Sequence, residues 1–193
     1  FGESINSNGE DRQVIDLTTL SSTQGFIIQG DFKGDQAGRS VSSAGDINGD
    51  GFDDLIVGAP RGDDGGGDAG EAYVVFGSDS GFGESVNSNG VDRQVIDLST
   101  LSAAQGFIIQ GDAADDYAGY SVSSAGDVNG DGFDDLIIGA RYGDDGGIDD
   151  GGIDAGEAYV VFGSGSSFGE SVTTDGADRQ VIDLTTLRAA QGF

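Results

Sequence analysis

Oxygen-bearing side chains recur at alternate places in two nine-residue stretches, Asp46-Ile-Asn-Gly-Asp-Gly-Phe-Asp-Asp54 and Asp127-Val-Asn-Gly-Asp-Gly-Phe-Asp-Asp135. They occupy positions 1, 3, 5 and 9: Asp46, Asn48, Asp50 and Asp54, then Asp127, Asn129, Asp131 and Asp135. Ca²⁺ is a hard cation that takes about six to eight oxygens, and a tight loop supplies them by alternating side chains with one backbone carbonyl. That carbonyl falls to Phe52 or Phe133 at position 7, and Gly51 or Gly132 sits at position 6, where the chain must turn sharply. One Ca²⁺ per loop, two in the chain, is the expectation. Asp, Asn and Gly also make metal-free turns, but such a turn requires neither this alternation nor its repetition.

The first half of each stretch follows the EF-hand pattern, yet an EF-hand closes with a bidentate Glu at position 12 on a helix. Here position 12 is Val57 or Ile138, inside the apolar runs Leu55-Ile-Val57 and Leu136-Ile-Ile138. Short β-branched runs ended by glycine read as buried strands. The loop therefore closes at position 9 and feeds a strand.

The surrounding elements repeat with the loops. Phe1-Gly-Glu-Ser4 returns at Phe82 and Phe168, which divides the chain into repeats 1–81 and 82–167 and the start of a third, 168–193. Each repeat offers four strand candidates in a fixed order: Gly25–Gly30, Ala37–Gly45, Asp54–Ala59 and Glu71–Gly77, with counterparts in the second. Ala37–Gly45 is rich in small residues, as fits strands crowded near an axis. Asp11–Leu17, seen again at Asp92 and Asp178, reads as a fifth short strand or an excursion, and Ser99–Gly106 as one helical turn stopped by glycine. The chain ends at Gly192-Phe193, where a third blade would begin.

Four antiparallel strands joined by glycine-rich turns describe a propeller blade, so the fold class is all-β. The run Ala-Gly-x-Ser-Val-Ser-Ser-Ala-Gly-Asp-x-Asn-Gly-Asp-Gly-Phe-Asp-Asp-Leu-Ile-x-Gly-Ala resembles the FG-GAP repeat of integrin α-subunit β-propellers and of large bacterial-type surface or secreted proteins. The resemblance implies that the Asp-rich loop joins two strands of a blade and binds Ca²⁺. The chain departs from that pattern at Ala37-Gly38 and Ala118-Gly119, which stand in place of Phe-Gly, and at Arg141 in place of proline. None of these is a ligand position. Two full repeats cannot close a ring of roughly four to eight blades, so the ring is incomplete in this chain. It is read as a piece of a longer array, or as a protomer that neighbours complete head to tail, forming a fibre or sheath.

A formal charge of −27, from 8 basic and 35 acidic residues, disfavours nucleic acid and anionic lipid. Cysteine and histidine are absent, which removes disulfides, thiolate chemistry and the usual general base. No stretch has the length of a membrane span. Without Met at residue 1, the chain reads as a processed product or a window on a longer protein. Carboxylate pairs abound but sit in glycine loops where desolvation is difficult, so no catalytic residue is assigned and no enzyme activity is expected. Calcium loops without cysteine place the chain outside the cell or on its surface.

The remaining features carry less. Arg61-Gly62-Asp63 is Tyr142-Gly-Asp144 in the second repeat, and its match to an adhesion tripeptide reads as chance. Asp63, Asp64, Asp68, Asp144, Asp145, Asp149, Asp150 and Asp154 form acidic loops read as solvated rather than as cation sites. Arg12, Arg93 and Arg179 each follow Asp and suggest structural ion pairs or surface charge relief. The leading expectation is a calcium-binding structural or adhesive module. The alternative is a recognition propeller that takes a carbohydrate or protein on the face opposite the loops, with Tyr117, Tyr120 and Tyr142 as its aromatics.

Overall fold

A computed structural model describes residues 2–7, 10–88, 90–144, 155–174 and 177–193. The first repeat forms β1 (Glu3–Ser7), β2 (Glu10–Val14), β3 (Phe26–Gln29), β4 (Ser40–Gly45), β5 (Asp54–Ala59) and β6 (Glu71–Val75). The series returns as β7 (Glu84–Ser88), β8 (Val91–Asp97), β9 (Gly106–Gln110), β10 (Ser121–Gly126), β11 (Asp135–Ala140) and β12 (Glu157–Val161). A third round begins with β13 (Glu170–Thr174) and β14 (Ala177–Asp183). The fold is all-β, and among the described residues the only helical turns are short 3₁₀ segments such as Leu98–Thr100.

Within the helical turn expected over Ser99–Gly106, the 3₁₀ segment ends at Thr100 and a single turn follows, the Ser102 carbonyl accepting the Gln105 and Gly106 N–H groups at 2.8 and 3.1 Å. Gly106 closes that turn and opens β9. A Cβ at this position would lie 1.8 Å from the Val74 carbonyl oxygen on the neighbouring strand, so glycine serves close strand approach.

The chain forms two compact units, Phe1–Gln29 with Asp79–Asp97, and Gly30–Ser78 with Leu98–Phe193. In the first, β3 pairs in parallel with β8, β8 pairs antiparallel with β7, and β1 pairs with β2. Phe26 and Phe82 stack there at 4.1 Å. In the second, β4, β5, β6 and β9 make a four-stranded antiparallel blade, and the β13–β14 hairpin extends it through a parallel β9–β14 pairing. Strands β10, β11 and β12 begin a second blade.

The fourth strand of the first blade, β9, thus comes from the next sequence repeat. The end of the chain obeys the same rule: Gly192 bridges Val161, and Phe193 exchanges backbone hydrogen bonds of 2.6 and 2.9 Å with Val160. This Gly-Phe pair supplies the outer edge of the second sheet, where the sequence suggested the opening of a third. The shift has a physical cause, because β6 and β12 leave a row of backbone groups unpaired until the following Gly-Phe-Ile-Ile-Gln or Gly-Phe segment arrives. The segments expected as a fifth strand or an excursion (β2, β8, β14) are strands, each in a hairpin with the Phe-Gly-Glu-Ser strand.

The hydrophobic core of the second unit lies between its two blades. Ala44, Ile47, Ile56, Ala72 and Val74 on one side meet Val122, Leu136, Ile138 and Val161 on the other. Strand β10 lies against β4, with the Ser40 hydroxyl accepting the Val122 N–H at 3.1 Å. Small side chains permit that approach.

Candidate cation centres

Both Asp-Gly loops sit between the first two strands of a blade, β4–β5 and β10–β11, and share one hydrogen-bond frame. Asp46 Oδ1 accepts the N–H groups of Gly49 (2.8 Å) and Asp50 (3.0 Å), and its Oδ2 accepts that of Gly51 (3.0 Å). Asn48 Oδ1 accepts from Asp50 N–H at 2.9 Å, and Asp50 Oδ1 from Phe52 N–H at 2.9 Å. In the second loop Asp127, Asn129 and Asp131 accept from the corresponding Gly130, Asp131, Gly132 and Phe133 amides at 2.7–3.0 Å. Gly51 and Gly132 take φ of +91° and +95°, as the sharp turn at position 6 requires.

Position 9 differs in kind, being fully buried. Asp54 accepts from Ile47 N–H (3.0 Å) with one oxygen and Gly77 N–H (2.8 Å) with the other, so it ties the loop to the segment after β6. Asp135 does the same with Val128 and Gly163 at 2.8 and 2.9 Å. Burial pushes the Asp54 carboxyl up to about 6; the two amide donors oppose this, and neighbouring Asp50 and Asp46 add to it. Asp46, Asp50 and Asp54 thus form an oxygen-rich group of mutually repelling carboxylates in a preset loop. Such a donor set, all oxygen with no sulfur or imidazole, fits a hard divalent cation.

The second loop also docks on the first. Asp134 Oδ2 accepts the Asp46 N–H at 3.0 Å, and Ser164 N–H donates to the Ile47 carbonyl at 2.9 Å. The Phe133 ring covers Gly49, where an added Cβ would lie 2.4 Å from it. Phe52, without such a loop beneath it, is exposed.

A second carboxylate cluster lies at the opposite strand ends and escaped the sequence reading. Asp31, Asp35 and Glu71 each bring an oxygen within 4.8 Å of the others. The Tyr73 hydroxyl lies 2.6 Å from Asp31 Oδ2 and 2.5 Å from Glu71 Oε2. Burial pushes Glu71 up to about 7, although the Tyr73 and Asp64 hydrogen bonds pull it down. In the second repeat the Tyr159 hydroxyl lies 2.6 Å from both Asp112 Oδ2 and Glu157 Oε2. The legible signal was Asp-x-x-x-Asp before the small-residue strand with Glu-Ala-Tyr after it, spelled twice.

Of the acidic loop residues, Asp63 accepts the Asp68 N–H at 2.8 Å and Asp68 accepts the Tyr117 hydroxyl at 3.1 Å, so this loop is internally bonded. Asp145, Asp149, Asp150 and Asp154 lie outside the described residues. Gly62 is buried against the Glu71 carboxyl, so the Arg-Gly-Asp tripeptide is built into that turn. Burial and the neighbouring Asp31 carboxylate push the Asp64 carboxyl up, and the buried Arg179 guanidinium opposes that. The three tyrosines of the alternative reading gather with arginine: Arg39 and Arg141 lie over Tyr120 at 4.6 and 5.2 Å, and Arg141 lies over Tyr142 at 4.5 Å. Tyr117 meets Tyr142 edge-on at 5.5 Å.

Residues 37–75 and 118–161, which hold both loops and the three strands around each, match the model of the FG-GAP repeat. The chain carries two FG-GAP repeats. Among its relatives, integrin alpha pat-2 of Caenorhabditis elegans is 31% identical over 157 residues, covering 79% of this chain and 11% of the relative. Integrin alpha ina-1 of the same animal is 33% identical over 144 residues (72% of this chain, 11% of the relative). Integrin alpha-6 of Gallus gallus is 30% identical over 119 residues (62% and 8%). The FG-GAP chain therefore spans about a tenth of the length of these animal integrin subunits. They lend no support to a bacterial-type host. The blades are of propeller type, and the sheets described do not close into a ring.

Proposed function

We propose that this chain is a calcium-stiffened, non-enzymatic adhesive or structural module of a cell-surface or secreted protein, built on sequence repeats 1–81, 82–167 and 168–193. The observation that carries the reading is the matching frame in the two FG-GAP loops. In both, amide donors hold the side chains of Asp46, Asn48, Asp50 and Asp54, or Asp127, Asn129, Asp131 and Asp135, within a single loop. Together with the Phe52 or Phe133 carbonyl they would hold one Ca²⁺ per loop. The ion would neutralise clustered carboxylates and fasten the β4–β5 and β10–β11 bends. Ligand binding to the folded state alone stabilises it by about 2.7 kcal/mol at a hundredfold excess over Kd. Thermal melts of the full chain in calcium and in EGTA test this: the transition should rise with Ca²⁺, and an unchanged transition rejects it.

The module's neighbours would be further repeats or further copies. Val122 is 8% exposed because the first blade covers it, while its counterpart Val41 is 66% exposed. Ile47 is 0% exposed under the second blade, while Val128 in the same place is 52% exposed. The face of the second blade that carries Val128 and Ile137 is therefore an open half of the blade contact present within the chain, whereas on the first blade only Val41 is exposed and Val57, Tyr73 and Ile108 in register with it are buried. A further repeat or a second copy would seat on that open face head to tail.

A recognition role has one specific observation in its favour. Two of the eight basic residues of a strongly acidic chain converge on Tyr120, beside Tyr142 and Tyr117. Arginine stacked on tyrosine suits an anionic or carbohydrate ligand. Glycan-array binding that disappears in Tyr120→Ala would favour this role.

A further inference from the structure

We propose that each repeat holds a second cation site at the strand ends away from the Asp-Gly loop, formed by Asp31, Asp35 and Glu71 in the first repeat and by Asp112, Asp116 and Glu157 in the second. The two kinds of site are separated by the length of β5. Asp54 opens that strand, and Ala59 at its other end pairs with Glu71. At about 3.3 Å per residue they lie roughly 17 Å apart. One ion cannot serve both, and the inference does not rest on the loop reading.

Three observations converge. Asp31, Asp35 and Glu71 are close enough to share one ion, and Asp35 and Glu71 are almost wholly buried. The Asp116 carboxyl is 3% exposed, and its Oδ2 is buried with no hydrogen-bond partner; Asp31 Oδ1 is in the same condition. Asp112, Asp144 and Glu157 are the carboxylates around Asp116, gathered less tightly than the first-repeat trio. A buried carboxylate oxygen without a partner is costly unless a charge or donor meets it.

The tyrosines point the same way. A phenol has one proton to donate, yet Tyr73 and Tyr159 each touch two carboxylate oxygens at 2.5–2.6 Å. The second contact in each repeat requires either a proton on a carboxyl or a cation bridging the pair. A divalent ion offsets two negative charges at once, and one that takes oxygen ligands, carboxylates first with carbonyls and water completing the shell, is of the kind of Ca²⁺ and the lanthanides that replace it.

Terbium titration of the full chain, exciting tyrosine, tests the assignment. Tyr73 and Tyr159 touch the proposed ligands, whereas the Asp-Gly loops carry Phe52 and Phe133. Saturable tyrosine-sensitised emission is expected, retained in Asp50→Asn/Asp131→Asn and mostly lost in Glu71→Gln/Glu157→Gln. Circular dichroism verifies folding; if the glutamine variant is unfolded, Asp35→Asn/Asp116→Asn is read on the same criterion. Emission absent from the wild type, unchanged in the cluster variants, or lost only in the loop variant overturns the proposal. The last outcome leaves the Asp-Gly loops as cation sites, so the two readings fail separately.

Discussion

Asp46 and Asp134 exchange a pair of hydrogen bonds between successive FG-GAP loops. Asp134 Oδ2 accepts the Asp46 N–H at 3.0 Å, and Asp134 N–H donates to the Asp46 carbonyl at 3.2 Å. The first ligand residue of one loop is thus set partly by the loop that follows.

Removing the Asp134 carboxylate leaves a part-buried amide unsatisfied. Asp134→Ala should cost about 1–3 kcal/mol, while Asp53→Ala, at the same exposed place in the first loop, should stay within about 0.5 kcal/mol. Urea unfolding of both variants measures the difference. Equal losses would mean that loop docking contributes nothing.

The same asymmetry applies to apolar residues. Ile47 is fully buried between the blades and Val128 is exposed. Ile47→Ala should destabilise by about 2–5 kcal/mol and Val128→Ala by less than about 0.5 kcal/mol. Chemical denaturation of the two variants checks the ranking.

Much of this was legible in the sequence, and what was missed has a pattern. Position-by-position ligand logic found Asp46 to Asp54 because the oxygens are adjacent along the chain, and glycine-bounded apolar runs located β5, β6, β9 and β11. Pairing partners were not legible: β9 looked like the first strand of its own repeat, yet β6 offers it the nearer unpaired edge. The Asp31–Asp35–Glu71 cluster was missed for a related reason. Its members are separated along the chain and meet only when β6 pairs with β5, so no local spacing announces them.

Burial raises Asp54 to about 6 and Glu71 and Asp116 to about 7, above the ordinary carboxylate value near 4. A carboxyl that holds its proton more tightly when folded stabilises the fold below its unfolded pKa, and that stability is lost as pH rises through the folded pKa. In EGTA the chain should melt lower at pH 8 than at pH 5, with the loss centred between about pH 5 and 7. Millimolar calcium should narrow the gap, because the ion replaces the protons. Melts across this range decide it; an EGTA melting point that climbs with pH contradicts the assignment.

Head-to-tail assembly makes its own demand. Ile137 is exposed on the bare face of the second blade, where its counterpart Ile56 is fully buried under a neighbour. Charging that face should block association. Sedimentation should show the wild type growing with concentration and Ile137→Glu remaining monomeric; a monomeric wild type at every concentration removes self-association from the account.

Calcium in the Asp-Gly loops is the central claim, and anomalous scattering from crystals grown in millimolar calcium tests it most directly. One peak per loop is expected, about 2.3–2.6 Å from oxygens of Asp46, Asn48, Asp50, Phe52 and Asp54, and likewise of Asp127, Asn129, Asp131, Phe133 and Asp135. Well-ordered loops with no peak in either would contradict it.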